Sequence, residues 1–369
     1  MLGCCGASRA SSVSAGSDAA ASYQRVPGSP FGVAVTPDGR YAFVDLVQGR
    51  VLVYSLASGN PTLVRTIAVP GEAVGCSITR DGRLLLVADG QGAVVVSVAR
   101  AERSAAHAVL GTLSPPATAH LGASGAIETA SSADGRYVFV SLEYGNPDGR
   151  IAVYGLGGGP VPRFGSADYV GSITLGQAVV GSALSPNGRY LYVTSELARG
   201  TAKLQADGTL SVIDVSRAER GAQRSILASV PAGHQPVRVV VSPSGSIVWV
   251  TARADNRVLA FAAARLLGDP RKALEAQAKV GTAPVGLATF DHGGRLIVAD
   301  SNRFDSRGAH AGLTILGTHA VIAHEPATIA SPAAGLFPRE IAVDGRDRIA
   351  LVTNFGSSQL ETIRLDHFR

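Results

Sequence analysis

The chain has 369 residues, of which 46% are hydrophobic and 17% are charged, and it contains 44 glycines. This length and apolar content suffice for a full core, and the composition excludes a coiled coil and a disordered chain. The net charge of +5 comes mainly from scattered arginines, whereas nucleic-acid-binding surfaces concentrate basic residues in a patch or stripe, so nucleic acid is not the expected partner.

The first 21 residues, MLGCCGASRASSVSAGSDAAA, predict a flexible tether because they are rich in alanine, serine and glycine. They lack the charged and then apolar layout of a secretory signal peptide. However, "LGC" at 2–4 resembles the end of a bacterial lipoprotein signal with Cys4 as the acylated residue, if the true start lies further upstream. The alternative is an ordinary disordered cytoplasmic tail. No segment has the length and apolar character of a transmembrane helix.

After this tether, one pattern recurs seven times. Its copies are PFGVAVTPDGRYAFVDL (30–46), AVGCSITRDGRLLLVAD (73–89), AIETASSADGRYVFVSL (126–142), VVGSALSPNGRYLYVTSE (179–196), PVRVVVSPSGSIVWVTA (236–252), PVGLATFDHGGRLIVAD (284–300) and PREIAVDGRDRIALVTN (338–354). Each copy contains two runs of alternating apolar residues around a Pro-, Asp- or Gly-containing turn, which predicts a strand, a tight turn and a second strand. A third strand and an outer strand follow before the next copy.

The turn glycine, or the residue in its place, recurs at 39, 82, 135, 188, 245, 293 and 347. Self-similarity at this spacing with four strands per unit predicts an all-β fold, a seven-bladed β-propeller with four-stranded blades. A linear solenoid with capping repeats is the alternative. The last copy leaves room for only three strands, so residues 22–27 are predicted to complete the seventh blade and close the ring. The propeller is expected to occupy 22–369, as a monomer.

Functional residues are expected where the copies differ. The seven positions that lie seven residues before the turn markers are Gly32, Gly75, Glu128, Gly181, Arg238, Gly286 and Glu340. Glycine is expected there because seven backbones crowd the propeller axis. The three charged exceptions belong to blades 3, 5 and 7 and are predicted to surround the mouth of the central channel, beside Arg339. Either they form a ligand site, with Arg238 holding a carboxylate or phosphate, or they form an Arg–Glu network that plugs the channel.

Other polar candidates follow the second strands or lie on neighbouring loops. They are Asp45, Asp89, His120, Glu143, Glu196, His234, Arg253, Asp300, Asn302 and Asn354. The long loops 141–150, 195–208 and 301–312 could form a partial lid over the mouth. Asp45, Asp89 and Asp300 would offer oxygen ligands to Ca²⁺ or Mg²⁺ if they converged. No other cofactor is expected.

The segments SPNGRYLYVTSE, SPSGSIVWVTA and IALVTN resemble the YVTN-type β-propeller repeat of bacterial exported and surface proteins. The resemblance covers 22–369 and implies a propeller fold and a periplasmic, lipid-anchored or surface location. Some members of this family bind nucleic acid. The terminal Asn of the motif is matched only by Asn354, because residues 195 and 252 are Ser and Ala.

The chain is also similar to the seven-bladed lactonase family, which hydrolyses 6-phosphogluconolactone. That family tends to have Pro-Arg-His before an innermost strand, whereas PVRV (236–239) and PREI (338–341) lack the His. No catalytic residue is therefore carried over.

Three hypotheses follow. The prediction is a non-catalytic exported propeller that binds a small polar or anionic ligand, or a protein partner, at the channel mouth. The alternatives are a lactone hydrolase, in which Glu128 or Glu340 activates water and Arg238 binds the acid group, and a nucleic-acid-binding propeller.

Overall fold

The computed structural model describes residues 21–119, 125–145, 148–157, 164–200, 206–221, 223–305 and 308–369. Within them, 28 strands form seven sheets of four antiparallel strands each. The first strands of neighbouring sheets contact one another around a ring, so they are the innermost strands of seven propeller blades. The predicted fold class is confirmed. No helix in the described ranges is long and apolar enough to cross a membrane.

The chain enters the ring through β1 and then builds blades 1 to 4 in order. The strands are β1 (Ala21–Arg25); β2 (Pro30–Val35), β3 (Tyr41–Leu46), β4 (Arg50–Ser55) and β5 (Thr62–Ala68) in blade 1; β6 (Cys76–Ile78), β7 (Leu84–Ala88), β8 (Ala93–Ser97) and β9 (Val109–Leu113) in blade 2; β10 (Ala126–Ser131), β11 (Tyr137–Leu142), β12 (Arg150–Gly155) and β13 (Tyr169–Thr174) in blade 3; and β14 (Gln177–Leu184), β15 (Tyr190–Leu197), β16 (Asp207–Asp214) and β17 (Ile226–His234) in blade 4.

Blades 5 to 7 complete the ring. Their strands are β18 (Pro236–Val241), β19 (Ile247–Ala252), β20 (Arg257–Ala262) and β21 (Leu274–Lys279) in blade 5; β22 (Pro284–Phe290), β23 (Arg295–Asp300), β24 (Gly312–Gly317) and β25 (Thr328–Ala330) in blade 6; and β26 (Pro338–Val343), β27 (Ile349–Asn354) and β28 (Gln359–Arg364) in blade 7. The outer strand of blade 7 is β1, which pairs antiparallel with β28. The N-terminal strand therefore closes the ring, as predicted from the sequence.

Short helices follow the third strands of four blades. They are α1 (Val98–Ala101), α2 (Val215–Ala218), α3 (Ala263–Gly268) and α4 (Thr318–Ile322). Single turns of 3₁₀ helix occur at Ala117–Ala119, Ser166–Asp168, Gln223–Ser225, Arg253–Asp255, Pro270–Lys272, Asp291–Gly293 and Leu365–Phe368. All of these elements lie at connections between strands except Leu365–Phe368, which follows the last strand β28, and the core is formed by the sheets.

The core lies between neighbouring blades. In one cluster, Phe43 and Val53 of blade 1 pack with Leu85 and Val94 of blade 2, and all four side chains are inaccessible to solvent. Both faces of each sheet are covered by the adjacent sheets, which explains the nearly continuous apolar runs of the middle strands. Burial of this surface supplies the main favourable contribution to folding.

Six of the seven innermost strands carry a register shift at or beside the position that lies seven residues before the turn marker. β2, β10, β14, β18, β22 and β26 each contain a bulge there, which leaves extra residues opposite the second strand. A Cβ atom on Gly75 would lie 2.2 Å from the carbonyl oxygen of Ile127, and one on Gly286 would lie 2.6 Å from that of Arg339. The neighbouring backbone therefore requires glycine at these two positions.

Threonines on the second strands join neighbouring blades at these bulges. Thr194, Thr251 and Thr353, the inter-blade threonines, accept the bulge N–H of their own blade at 2.9–3.0 Å. Each hydroxyl also donates to a carbonyl of the next innermost strand, at 2.6–3.1 Å. Thr353 makes this bond to Phe31, so the same device couples blade 7 to blade 1 across the closure.

Candidate functional site

The three charged exceptions meet inside the channel although they come from blades 3, 5 and 7. The Arg238 guanidinium contacts the Glu128 carboxylate through Nη1 and the Glu340 carboxylate through Nη2. The Arg238 side chain is only 6% exposed, against 18% for Glu128 and 15% for Glu340. This charged triad engages both outer nitrogens of Arg238, so the guanidinium does not present a free pair of donors to an anion. Its geometry is that of the plug hypothesis.

The residues that precede these positions line the channel with apolar side chains. Val180, Val237 and Val285 form a buried cluster, against which Ile127 and Phe337 pack. In blade 7 the corresponding residue is Arg339, which places a guanidinium at this apolar level. An arginine where the other repeats have valine, isoleucine or phenylalanine is the sequence signal that marks blade 7 as different.

Arg339 is held by aromatic rings. Its Cζ lies 3.5 Å from the ring centroid of Phe31 and 5.6 Å from that of Phe337. The residue as a whole is only half-buried, but its Nε is buried and has no hydrogen-bond partner in the described structure. Burial, and to a lesser degree the neighbouring Arg238, lowers the Arg339 pKa to about 9, although Glu340 opposes this shift. The guanidinium is therefore still charged at neutral pH.

Arg339 is one end of a row in which arginines and phenylalanines alternate. The Arg303 Cζ lies 5.5 Å from the ring centroids of both Phe337 and Phe304, and the Arg253 Cζ lies 5.6 Å from that of Phe304. We call Arg253, Phe304, Arg303, Phe337 and Arg339 the arginine–phenylalanine row. Contacts of this kind are worth about 0.5–2 kcal/mol each, depending on their desolvation. Arg253 and Arg339 were among the predicted mouth residues, whereas sequence reasoning missed Arg303, Phe304 and Phe337, although Arg303 and Phe304 are adjacent and Phe337 lies two residues before Arg339.

Carboxylates lie along one side of this row. The Arg253 Nη2 is 2.7 Å from Glu196 Oε2 and also donates to Gln235 Oε1 at 3.0 Å. Burial, reinforced by the charge of Glu196, raises the pKa of Glu143, whereas Arg339 and Arg253 oppose the shift. A cavity of about 270 Å³ opens beside these groups. Its lining includes Glu143, Tyr144, Gln177, Glu196 and Gln235.

Two arginines of the row have no carboxylate partner in the part of the chain that the structure describes. Among the described residues, neither Arg303 nor Arg339 forms an ion pair, whereas Arg238 and Arg253 both do. A guanidinium stacked on a ring keeps its N–H edges directed sideways, where they can meet a planar acceptor. The row therefore combines fixed cationic donors with aromatic faces.

Three predicted mouth residues bind partners outside this row. His234 Nδ1 lies 2.7 Å from Asp255 Oδ1, at the end of the outermost strand of blade 4. Asn302 Nδ2 donates to the carbonyl of Ala309 within its own loop, at 3.1 Å. Asn354 is fully buried and donates to Glu361 Oε2 at 2.7 Å. Their side chains stabilise local structure around blades 4, 6 and 7.

The three aspartates that were considered as metal ligands do not converge. Asp45 accepts the backbone N–H groups of Gly32 at 2.8 Å and Gly75 at 3.2 Å, and its burial raises its pKa to about 6. Asp89 accepts the N–H groups of its own turn. Asp300 lies in blade 6, where Thr314 donates to it. Within the described ranges, no three histidine, cysteine or acidic residues are placed to hold a metal ion together.

Some predictions fall on residues outside the described ranges. Cys4, the tether up to residue 20 and His120 belong to this group. So do residues 146–147, 201–205 and 306–307 of the three long loops. The lipidation and lid hypotheses therefore stay predictions.

Comparison with known proteins supports the fold. No family model matches the chain, and no curated protein matches it in sequence. The fold is similar to a chain of Kuenenia stuttgartiensis hydrazine synthase, with a TM-score of 0.70 and 16% identity over 92% of this chain and 97% of that one. It is also similar to the β-propeller domain of Myceliophteria thermophila Cps50 (Swd1), with a TM-score of 0.66 and 13% identity over 93% and 99%. At these identities the likeness concerns the fold alone.

Proposed function

We propose that this protein is a non-catalytic β-propeller whose channel mouth binds a small anionic ligand carrying a carboxylate or phosphate. The observation that carries the proposal is the pair of arginines that lie over aromatic rings, Arg303 and Arg339, neither of which has an ion-pair partner among the described residues. An exported or surface location, and membership of the YVTN-type repeat family, are proposed from the resemblance of the repeats alone.

The surroundings of the two arginines favour an anion over a cation. Arg303 and Arg238 both oppose the positive charge of Arg339, so an added negative charge would relieve this repulsion. The rings of Phe304 and Phe337 would cover the apolar part of the ligand. Because Glu143 has a raised pKa, it would accept a hydrogen bond as a carboxylate or donate one when protonated.

The charged triad takes a structural role in this proposal. Arg238 already contacts two carboxylates, and a third acidic group would have to displace one of them. Replacing a buried ion-pair partner is costly because it leaves a buried charge uncompensated. The ligand is therefore assigned to the arginine–phenylalanine row and not to the charged triad.

Titration calorimetry of the full chain with inorganic phosphate and with gluconate tests the proposal. The variant Arg303→Gln is expected to weaken binding by at least about tenfold, because a charge-assisted hydrogen bond is worth about 1.5–3 kcal/mol. Its matched control is Arg25→Gln, an exposed arginine on β1 at the outer edge of blade 7, which should bind as the parent does. Absence of binding by the parent protein, or equal losses in both variants, would overturn the proposal.

The same preparation separates the two alternatives. Turnover of gluconolactone above the buffer rate, lost in Glu143→Gln, would make the protein a lactone hydrolase. Tight binding of a single-stranded oligonucleotide that is lost in Phe304→Ala would favour the nucleic-acid reading, because bases stack on exposed aromatic rings.

A protein partner at this face is a second candidate. Tyr144 and Phe304 are each 57% exposed and Leu336 is 64% exposed, all on loops that follow second strands or precede first strands. Large exposed apolar side chains beside arginine are typical of the anchors of protein interfaces. The variants Tyr144→Ser and Leu336→Ser should impair partner capture without changing phosphate binding.

A further inference from the structure

A second cavity lies at blade 6, where the start of β24 meets the residues that follow β21 and β25, and none of its lining residues belongs to the arginine–phenylalanine row. It has a volume of about 580 Å³. Its lining includes Lys279, Gly281, Asp300, His310, Thr314 and Ser331. This volume is in the range of small-molecule sites, and the polar groups come from blade 5, blade 6 and the chain that leads to blade 7.

Asp300 lines this cavity and is 3% exposed. Its Oδ2 accepts the hydroxyl hydrogen of Thr314 at 2.6 Å, and Thr314 Oγ1 in turn accepts the N–H of Gly281 at 3.3 Å. Its Oδ1 is buried and has no hydrogen-bond partner within the described part of the chain. A buried acceptor without a donor costs about 1–3 kcal/mol, so a buried carboxylate in this state calls for a ligand that donates.

The fold does not require an acid at this position. Asp300 pairs with Pro284 at the start of the blade, and the corresponding residues in blades 1 and 5 are Leu46 and Ala252. In blade 7 the corresponding residue is Asn354, and the place of Thr314 is taken by the longer Glu361, whose carboxylate accepts the Asn354 amide. Blade 6 therefore combines an acid with a short partner, which leaves one buried oxygen of this cavity-lining carboxylate without a donor.

The remaining lining narrows the class of ligand. Lys279 and His310 are exposed at the rim, and a cationic amine would be repelled by the lysine. Ser331 and Thr314 offer hydroxyl groups that both donate and accept. A hydroxyl group can donate to a carboxylate such as Asp300 and can accept from an ammonium group such as Lys279.

We propose that this blade 6 cavity binds a neutral polyhydroxylated molecule of the monosaccharide class, with the Asp300 carboxylate accepting a hydroxyl hydrogen. This site is separate from the anion site proposed at the mouth. Because burial raises the pKa of Asp300 to about 7, a donating ligand would stabilise the ionised form at neutral pH.

The test follows amide chemical shifts of the full ¹⁵N-labelled chain during titration with D-glucose. Shifts at the Gly281, Gly312 and Leu313 amides are expected, with saturation in the millimolar range. The variant Asp300→Leu, which introduces the residue that blade 1 has at this position, should weaken binding at least about tenfold, because it removes a hydrogen bond to a charged acceptor. Ala311→Phe, which narrows the cavity and keeps Asp300, should weaken binding as well.

Controls separate this site from the mouth. Asp89→Asn in blade 2 and Arg303→Gln in the row should leave glucose binding unchanged. Absence of glucose-dependent shifts around the cavity would overturn the proposal, and so would unchanged binding in both Asp300→Leu and Ala311→Phe. Saturation by glucosamine or gluconate but not by glucose would also overturn it, because the ligand class would then be charged.

Discussion

The charged triad in the channel and the arginine–phenylalanine row at its mouth use the same cationic side chain in opposite ways. In the triad, Arg238 is 6% exposed and contacts two carboxylates. In the row, Arg303 contacts two rings, one of which belongs to the 57% exposed Phe304. A guanidinium paired with carboxylates fixes the strands that carry it, whereas one stacked on rings keeps its donors for another molecule. The partners that surround each guanidinium, carboxylates or aromatic rings, decide between these roles.

The largest effect is expected from breaking the triad. Arg238→Met should lower the free energy of unfolding by about 3–5 kcal/mol, because it leaves two carboxylates inside the channel without a cation. Unfolding in guanidinium chloride, monitored by circular dichroism, measures this loss.

The control for this prediction removes all three charges. The triple variant Glu128→Gln, Arg238→Met and Glu340→Gln should recover most of the lost stability, since no buried charge then remains. If Arg238→Met is instead as stable as the parent, the triad does not fasten the channel, and its two glutamates must be reconsidered as ligand-binding groups.

A smaller effect concerns the pH dependence of the inner ring. Burial raises the Asp45 pKa from 3.8 to about 6, so the folded state holds a proton that the unfolded state releases. The stabilisation from this group is complete below about pH 4 and is lost as the pH rises through 6, by an amount on the order of 2 kcal/mol.

Asp45→Thr provides the comparison for this pH dependence, because the inter-blade threonines occupy the corresponding position in blades 4, 5 and 7. As the pH rises from 4 to 7, the free energy of unfolding of the parent should fall relative to that of the variant. A constant difference across this range would show that Asp45 does not titrate there.

The inter-blade threonines should have a more modest effect. Thr353→Val removes the acceptor of the Glu340 N–H and the donor to the Phe31 carbonyl, and should cost about 1–3 kcal/mol. Thr251→Val is the matched change within the ring. Thermal unfolding of both variants compares the interface between blades 7 and 1, where the ring closes, with the interface between blades 5 and 6. A much larger loss at Thr353 would identify the closure as the weak point of the ring.

The smallest stability effect is expected at the mouth. Arg303→Ala should lower the free energy of unfolding by only about 1 kcal/mol, because it removes two exposed cation–π contacts without leaving a buried charge unpaired. Denaturant unfolding of this variant beside Arg238→Met therefore separates the two regions directly. A loss comparable to that of Arg238→Met would mean that the row is also a structural element.

The propeller was predictable because its signals are local. Alternating apolar residues and turn glycines specify strands and tight turns within about 20 residues, and seven copies of the pattern specify seven blades. The last copy has room for only three strands, and this was enough to predict that residues 22–27 supply the missing strand and close the ring. The departures from glycine at Glu128, Arg238 and Glu340 also marked these residues as unusual without any knowledge of their neighbours.

What the sequence by itself determined is therefore the repeat, the number of blades, the closure and the three charged positions near the axis. Only the tertiary structure decided that Arg238 pairs with Glu340, 102 residues away, and that Arg253, Arg303 and Arg339 share rings from neighbouring loops. It likewise decided that Asp300 faces a cavity whereas Asn354, at the same repeat position, meets a glutamate. The physical reason is that periodicity fixes which face of a strand a residue occupies, but its partners are supplied by other blades that come together only when the ring closes.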